Sequence, residues 1–440
     1  MRPPDSKPKI TRAEWALIVL LASVNFTHIL DFVIIMPLGK QLISELKISP
    51  AQFAHIVSAY GLAACVAGVL AATVVDRFDR RTVLLVNYAG FAVSTLACGL
   101  APDYAWLLIA RVLAGAFGGI TASAILAIIG DVFPNERRGT ALGAVTSAFA
   151  VASIAGLPAG LMLATDFGRG VPFLALAMLS VPVWIAAFFR LPSLTSHRQQ
   201  SGGRIWSELR VVVTHPNHLR SFAFMFTLVM GSFTIIPFMA PYLELNCGAS
   251  RRDVEWIYAI AGVFTLIGMN AVGRLTDQFG QCRVFLVAAS ASMVMTLLIT
   301  NLPPWGVAAS AAVASGFMVT AAGRIIPAQA MMIGSSPPAL RGRFMNLNNA
   351  VSHFATGISP LVSGAIITQA NDTAPLVGYP VAGLVAVAFA SAALGLAFLL
   401  RPAPKTLPTV EKNAPTSDSY GPLRPAPAPW VPTAQGGGRL

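Results

Sequence analysis

The chain has 440 residues, of which 55% are hydrophobic and 11% charged, and its mean hydropathy is +0.68. Average soluble domains carry about 25% charged residues. An ordinary water-soluble enzyme, a disordered chain and a small secreted scaffold are therefore excluded, which leaves a polytopic membrane protein. A net charge of +12 would suggest nucleic acid in a soluble protein, but here the distribution of the charge decides its meaning.

Apolar runs between charged and Pro/Gly breaks predict twelve helices. They lie near 14–38, 52–75, 83–101, 105–130, 140–164, 171–190, 219–244, 254–273, 283–301, 305–333, 344–369 and 378–400. The first run is too long for a signal-peptide core and lacks a small-residue cleavage site, so it reads as a retained span. Of the 30 Lys and Arg residues, 23 fall on the side of the N-terminus, five on the opposite side, and Arg111 and Arg324 within spans. This is the positive-inside pattern, which puts both termini in the cytoplasm. It assigns the basic character to anionic lipid headgroups and not to nucleic acid.

The expected organisation is a cytoplasmic N-terminus (1–13), a six-helix bundle (14–190), a cytoplasmic linker (191–218), a second six-helix bundle (219–400) and a disordered cytoplasmic tail (401–440). Ile205, Trp206, Leu209, Val212 and Val213 predict a short amphipathic helix at the membrane surface within the linker. The fold class is an all-α membrane protein with twelve transmembrane helices in two pseudo-symmetric six-helix bundles. Four landmarks support the symmetry. Asp76 and Asp277 are 201 residues apart, as are the runs Asp31–Ile35 and Ser232–Ile236; Pro158 and Pro360 are 202 apart, and Arg138 and Arg341 are 203 apart. A parallel six-plus-six repeat is a transporter architecture, with the substrate site between the halves.

These residues resemble the major facilitator superfamily. Gly273, Leu275, Asp277, Gly280 and Arg283 fit its loop motif closely, whereas the first copy keeps Asp76, Arg80 and Arg81 but has Ala72 and Asp79 where the motif has glycine. Leu30-Asp31 with Met36-Pro37, and Arg111 with Gly115, Gly118 and Gly119, are similar to the first-span and fourth-span motifs of drug:proton antiporters in that superfamily. Gly156, Pro158 and Gly160 resemble the helix-bending fifth-span motif, in a spacing more like the arabinose-efflux branch. The resemblance implies an inner-membrane transporter exporting a drug, sugar or metabolite by proton antiport. It also implies that Asp76, Arg80, Arg81, Asp277 and Arg283 act in gating. The alternatives are a proton symporter or facilitator for a small polar solute, and a non-transporting membrane receptor with this fold.

The remaining candidates follow from the cost of charge in a bilayer. An ionised Asp at a helix centre costs about 2.5–3.5 kcal/mol on insertion scales, so Asp31 is a candidate proton carrier or, alternatively, a structural hydrogen-bonding group. Asn25, His28 and Asp31 share one helical stripe, and His28 joins Asp31 and Arg111 as a candidate for proton coupling. Arg111 cannot shed its proton, so it either pairs with an acid such as Asp31 or snorkels to the nearby interface. Arg324 is read as contacting substrate or as satisfying a polar neighbour. Asn346, Asn349, His353 and Thr356 form a polar face on the eleventh span, from which Asn349 and His353 join Asn25 and Arg324 as candidate cavity residues. The four cysteines have no metal-ligand spacing and read as packed, reduced thiols. No nucleotide loop, metal cluster or nucleophile arrangement stands out, so no cofactor and no enzymatic activity are expected. The expected partners are a small-molecule substrate, protons and the lipid bilayer, for a monomer driven by an ion gradient.

Overall fold

The structure, a computed structural model, describes residues 10–74, 78–194, 205–337, 340–371 and 373–402. The first half contains α1 (Arg12–Ile34), α2 (Gly39–Leu46), α3 (Pro50–Val74), α4 (Arg80–Gly99), α5 (Tyr104–Val132), α6 (Asn135–Thr146), α7 (Ala148–Val151), a π-helical turn (Ala152–Gly156), α8 (Leu157–Phe167) and α9 (Val171–Arg190). After α10 (Ile205–Thr214) come α11 (Pro216–Phe233), α12 (Ile236–Leu245), α13 (Arg251–Phe279), α14 (Gln281–Thr300), α15 (Val307–Gly323), α16 (Ile325–Gly334), α17 (Arg341–Ile366) and α18 (Tyr379–Leu399). Taking α1–α2, α6–α8, α11–α12 and α15–α16 as broken spans, and α10 as part of the linker, gives the twelve transmembrane helices of two six-helix bundles. The short helix expected in the linker corresponds to α10, but Val212, expected on its membrane-facing side, is buried in the core of the second half. The tail from residue 403 lies outside the described residues.

Eleven of these segments are long and apolar enough to cross a membrane. The twelfth, α17, has 26 residues, but Arg341, Arg343, Asn346, Asn348, Asn349 and His353 dilute its apolar character. Helix starts are set by side chains that satisfy otherwise unpaired N–H groups. Thr11 with Glu14 and Ser250 with Asp253 form reciprocal capping boxes on α1 and α13. Asp103 accepts from the Trp106 N–H at the start of α5.

The breaks have identifiable causes. Proline lacks an N–H and clashes with the preceding turn. Pro37 follows the end of α1, and Pro237 sits in the first turn of α12. The break between α1 and α2 and that between α11 and α12 therefore fall at matching places in the repeat. Pro327 likewise cannot donate to the carbonyl of Gly323, where α15 ends. Pro158 is the second residue of α8, one residue past the π-helical turn, and the wider turn absorbs the missing hydrogen bond.

The apolar core shows how the halves meet. At the end away from the termini, one cluster draws on both halves, including Ile34, Leu42, Phe53, Phe238, Leu243 and Tyr379. Toward the termini the core divides. Ile18, Leu84, Tyr88 and Phe133 belong to a cluster within the first half, and Phe224, Phe285, Met332 and Phe344 to one within the second. The seam between halves is dense where it exists: a Cβ on Gly61 would lie 2.7 Å from the backbone N of Gly357, and one on Gly364 would lie 2.4 Å from the Cβ of Ala54.

Candidate transport site: a buried ion pair and a polar seam

Four helices of the first half converge on Asp31, which is fully buried. Arg111 Nη1 on α5 donates to Asp31 Oδ2 at 2.9 Å and to the Asp31 carbonyl at 3.1 Å. Thr95 Oγ1 on α4 donates to Asp31 Oδ1 at 3.2 Å. From α3, the Tyr60 ring lies under the Arg111 guanidinium, 4.5 Å from its carbon to the ring centroid. Arg111 is itself fully buried, and among the described residues its Nε and Nη2 have no hydrogen-bond partner. It points to the acid and not to the boundary marked by Trp106. Such a pair is held by mutual need: removing one partner of a buried pair costs about 3–5 kcal/mol, because the other charge is left uncompensated.

The polar stripe on α1 divides between roles. Asn25 Nδ2 donates to the Val145 carbonyl at 3.1 Å and ties α1 to α6. His28 lies beside the pair, with its ring 5.9 Å from that of Tyr60 and, among the described residues, no hydrogen-bond partner for its Nε2. Gly118 makes room there, since a Cβ on it would sit 2.5 Å from Tyr60 Oη and 2.8 Å from His28 Nε2. His353, from the second half, is close enough to interact electrostatically with His28. Asn349, one helical turn from His353, is partly buried on the same stripe of α17.

Arg324 stands at the break between α15 and α16 and is buried. Its Nη2 donates to Ser232 Oγ at 2.6 Å and to the Leu228 carbonyl at 3.1 Å, beside Gly231 where α11 packs on α18. Among the described residues its Nε has no hydrogen-bond partner. Ser232 occupies the repeat position of Asp31, so each half directs an arginine at this position. Among the described residues a countercharge, Asp31, is seen in the first half and none at Arg324.

Among the expected gating residues, Asp76 lies outside the described residues. Arg80 pairs with Asp131 at 3.3 Å, and Arg81 donates to the Phe188 carbonyl at 2.6 Å while covering the Phe188 ring. Both contacts stay within the first half. Asp277 and Arg283 are exposed at the termini-bearing end, and among the described residues neither forms a salt bridge. Asp277 borders a cavity of about 680 Å³ whose wall includes Cys282, Met331, Phe398 and Arg401. Sequence reasoning treated Asp79 only as a lost glycine, yet it caps α4. Its carboxylate accepts from Arg81 N at 3.1 Å, Leu194 N at 2.8 Å and Ser193 Oγ at 2.8 Å. Partial burial opposes the charge, but these hydrogen bonds and the charge of Arg81 outweigh it and hold the carboxyl below its ordinary value. The repeat position is Gly280, which turns the chain with φ +87°.

The fifth-span motif brackets the π-helical turn. Gly156 and Gly160 let α8 approach α1, since Cβ atoms there would sit 2.7 Å from Leu30 and 2.6 Å from Ile34. From the other side, Gly262 on α13 meets the backbone of Ser153 and Ile154.

A polar seam joins the halves at the end away from the termini. Lys40 pairs with Glu244 at 3.2 Å, Arg252 with Asp166 at 3.2 Å, and Arg251 donates to Gln41. Sequence reasoning missed this seam. The available signal was the five cations on the side that the positive-inside pattern disfavours, three of which (Lys40, Arg251 and Arg252) make these contacts.

Known proteins supply the remaining comparison. The family model described as Major Facilitator Superfamily matches residues 21–233 and again 221–437. The chain is 25% identical over 362 residues to the uncharacterized MFS-type transporter YceJ of Bacillus subtilis, covering 82% of this chain and 91% of that one. It is 27% identical over 346 residues to the inner membrane transport protein YdhP of Escherichia coli K12, covering 75% and 83%. With the multidrug resistance protein MdtG of Salmonella typhimurium it shares 26% identity over 302 residues, 66% of this chain and 72% of that one. Among solved structures, a bacterial homolog of the human lysosomal transporter Spinster, described as inward-facing and unoccupied, superposes with a TM-score of 0.66 at 17% identity, covering 90% and 98%. The nucleoside transporter NupG superposes at 0.68 with 13% identity, covering 87% and 99%. With the twelve-span fold in place and the family model aligned to each half in turn, the chain belongs to the Major Facilitator Superfamily of membrane transporters.

Proposed function

We propose that the protein exports a small molecule across the cell inner membrane in exchange for protons, acting as a monomer with both termini in the cytoplasm. The observation that carries this reading is the buried Asp31–Arg111 pair. Asp31 is the acid whose charge can be removed by a proton, whereas Arg111 keeps its charge throughout. Protonation of Asp31 frees Arg111 Nη1 from Oδ2 and leaves it bonded to the Asp31 carbonyl. The transporter thereby has two electrostatic states at one site, which is what coupling to a gradient needs. The names of relatives such as the multidrug resistance protein MdtG support export of a drug-like or other small molecule.

Alternating access gives the rest of the cycle. The shared core and the polar seam lie at one end, and the core divides toward the termini. With cytoplasmic termini, this arrangement is closed outside and open inside, in keeping with the inward-facing description of the Spinster homolog. Asn349 and His353 offer polar groups toward the space between the halves. The loop acids Asp76 and Asp277 act in the opposite state, when the inner ends approach.

The deciding experiment is pH-gradient-driven flux through Asp31→Asn and Asp31→Glu in inverted vesicles. Asn keeps the shape and hydrogen bonding but carries no titrating proton. Gradient-driven export should be lost in Asp31→Asn and partly retained in Asp31→Glu, while substrate exchange survives in both. Export by Asp31→Asn at the native rate would remove Asp31 as the coupling acid.

A further inference from the structure

Tyr60 is the residue through which the ion pair touches the rest of the machine. Its ring carries the Arg111 guanidinium. Its backbone is clamped by α5, because a Cβ on Gly115 would lie 2.3 Å from the Tyr60 carbonyl oxygen and 2.7 Å from its Cα. The next residue, Gly61, packs against the second half. A Cβ there would lie 2.7 Å from Gly357 N and 2.9 Å from Thr356 Oγ1 on α17. A second route also leaves the same ring. Phe32 lies 5.2 Å from Tyr60 and 5.8 Å from Phe233 of α11, measured between ring centroids. Interiors this dense transmit displacement and do not absorb it.

From this geometry we infer that Tyr60 is a positioning residue that transmits the protonation state of Asp31 to the contact between the two halves. The inference rests on Asp31 being the coupling acid. With Asp31 charged, Arg111 is shared between the carboxylate and the Tyr60 ring. With Asp31 neutral, the ring and the Asp31 carbonyl remain as its partners, and the attraction of a desolvated cation for an aromatic face gains weight. A shift of Arg111 on the ring moves Tyr60. Because α3 has no slack toward α5, the motion passes to Gly61–Gly357 and to Phe32–Phe233, the contacts that must part for the far end to open. Among the described residues the Tyr60 hydroxyl has no hydrogen-bond partner, so the ring is the working part. The titratable groups that face Tyr60 directly or through His28 are Asp31, Arg111, Cys98, His28 and His353.

The test reads conformation. Spin labels at Ser44→Cys and Trp305→Cys, on opposite halves at the far end, are placed in a protein whose four native cysteines are replaced. Their distance distribution is then measured in reconstituted membranes from mildly acidic to mildly alkaline pH. The labelled parent should shift between a short and a long population with pH, and Asp31→Asn should be flat. Tyr60→Phe should keep the shift because the ring remains, and Tyr60→Leu should lose it. Phe32→Leu leaves the ion pair intact and should weaken the shift, which supplies a second readout if Tyr60→Leu does not assemble. A pH shift in Tyr60→Leu equal to that of the parent overturns the inference. So does a full shift in Phe32→Leu where Tyr60→Leu is lost to misfolding. A flat parent together with native gradient-driven export by Asp31→Asn fails at the earlier step: the coupling acid is then elsewhere, and the inference falls with it.

Discussion

Replacing Gly115 by alanine tests how closely α3 and α5 are packed beneath the ion pair. The added Cβ would stand 2.3 Å from the carbonyl oxygen of Tyr60, with the Tyr60 Cα and carbonyl carbon also inside 3.0 Å. These are backbone atoms in the middle of a helix, so no rotamer change can yield. To restore ordinary contact the two helices must separate by about 1 Å, and overpacking of this kind costs about 1–3 kcal/mol. The same separation draws Tyr60 away from Arg111, and a cation–π contact in a desolvated site contributes up to about 2 kcal/mol. Gly130→Ala is the matched control. It lies on the same helix with nothing within 4 Å of the added methyl, and alanine gains up to about 1 kcal/mol in helix propensity over glycine. Heating the purified variants should therefore lower the apparent unfolding temperature for Gly115→Ala and leave it level or raised for Gly130→Ala. Gradient-driven flux should fall in the first variant only. Equal stability of the two would mean that α3 and α5 are not in backbone contact at this point, and the clamp on Tyr60 would lose its basis.

Other outcomes are open to simpler measurements. Glu244→Lys should loosen the polar seam by about 1 kcal/mol, the range of a partly exposed pair, and the exchange Lys40→Glu with Glu244→Lys should restore it. The readout is the rate at which a cysteine placed at Ala249 is labelled, and no restoration by the exchange would remove this pair from the seam. Asp79→Ala should cost about 0.5–2 kcal/mol through loss of the α4 cap, measured by thermal unfolding. Because the folded carboxyl titrates below its ordinary value, its stabilisation is complete above about pH 3.9 and disappears as pH falls through the lower folded value. The difference between the native protein and Asp79→Ala should therefore close only in strong acid, and a difference that closes near neutrality would contradict the hydrogen-bonded geometry.

The fold was legible because a bilayer admits few solutions. Span length, charge asymmetry and the repeat suffice for two six-helix bundles. Asp31 and Arg111 stood out for the same reason, since charge inside a span is costly enough to be rare. Their pairing joins positions 80 residues apart, and nothing local announces that distance. Tyr60 and Thr95 were invisible because an aromatic or hydroxyl side chain inside an apolar run looks like packing material. Span breaks were only partly readable. Pro37 and Pro237 mark theirs, whereas at Pro158 the chain chose a π-helical turn, which depends on α1 and α13 packing close by. Asp79 misled for an instructive reason: its departure from the loop pattern looked like decay, while its carboxylate had taken over the start of α4.

The polar face of α17 has a consequence for how the protein is made. A segment with three asparagines, a histidine and two arginines enters a bilayer less readily than its neighbours during synthesis, on any insertion scale. Its flanks compensate. The α15–α16 segment before it and α18 after it are apolar enough to span on their own, so α17 can be carried in between them. Its close seat against α3 at Gly61 and Gly357 forms only when the first half is already in place. The expected outcome is that the second half completes its insertion against the first as a template, so that the order of the genetic message becomes an order of assembly. A version with the halves exchanged in sequence would have to insert α17 before α3 exists, and its yield in the membrane would report how far that escort matters.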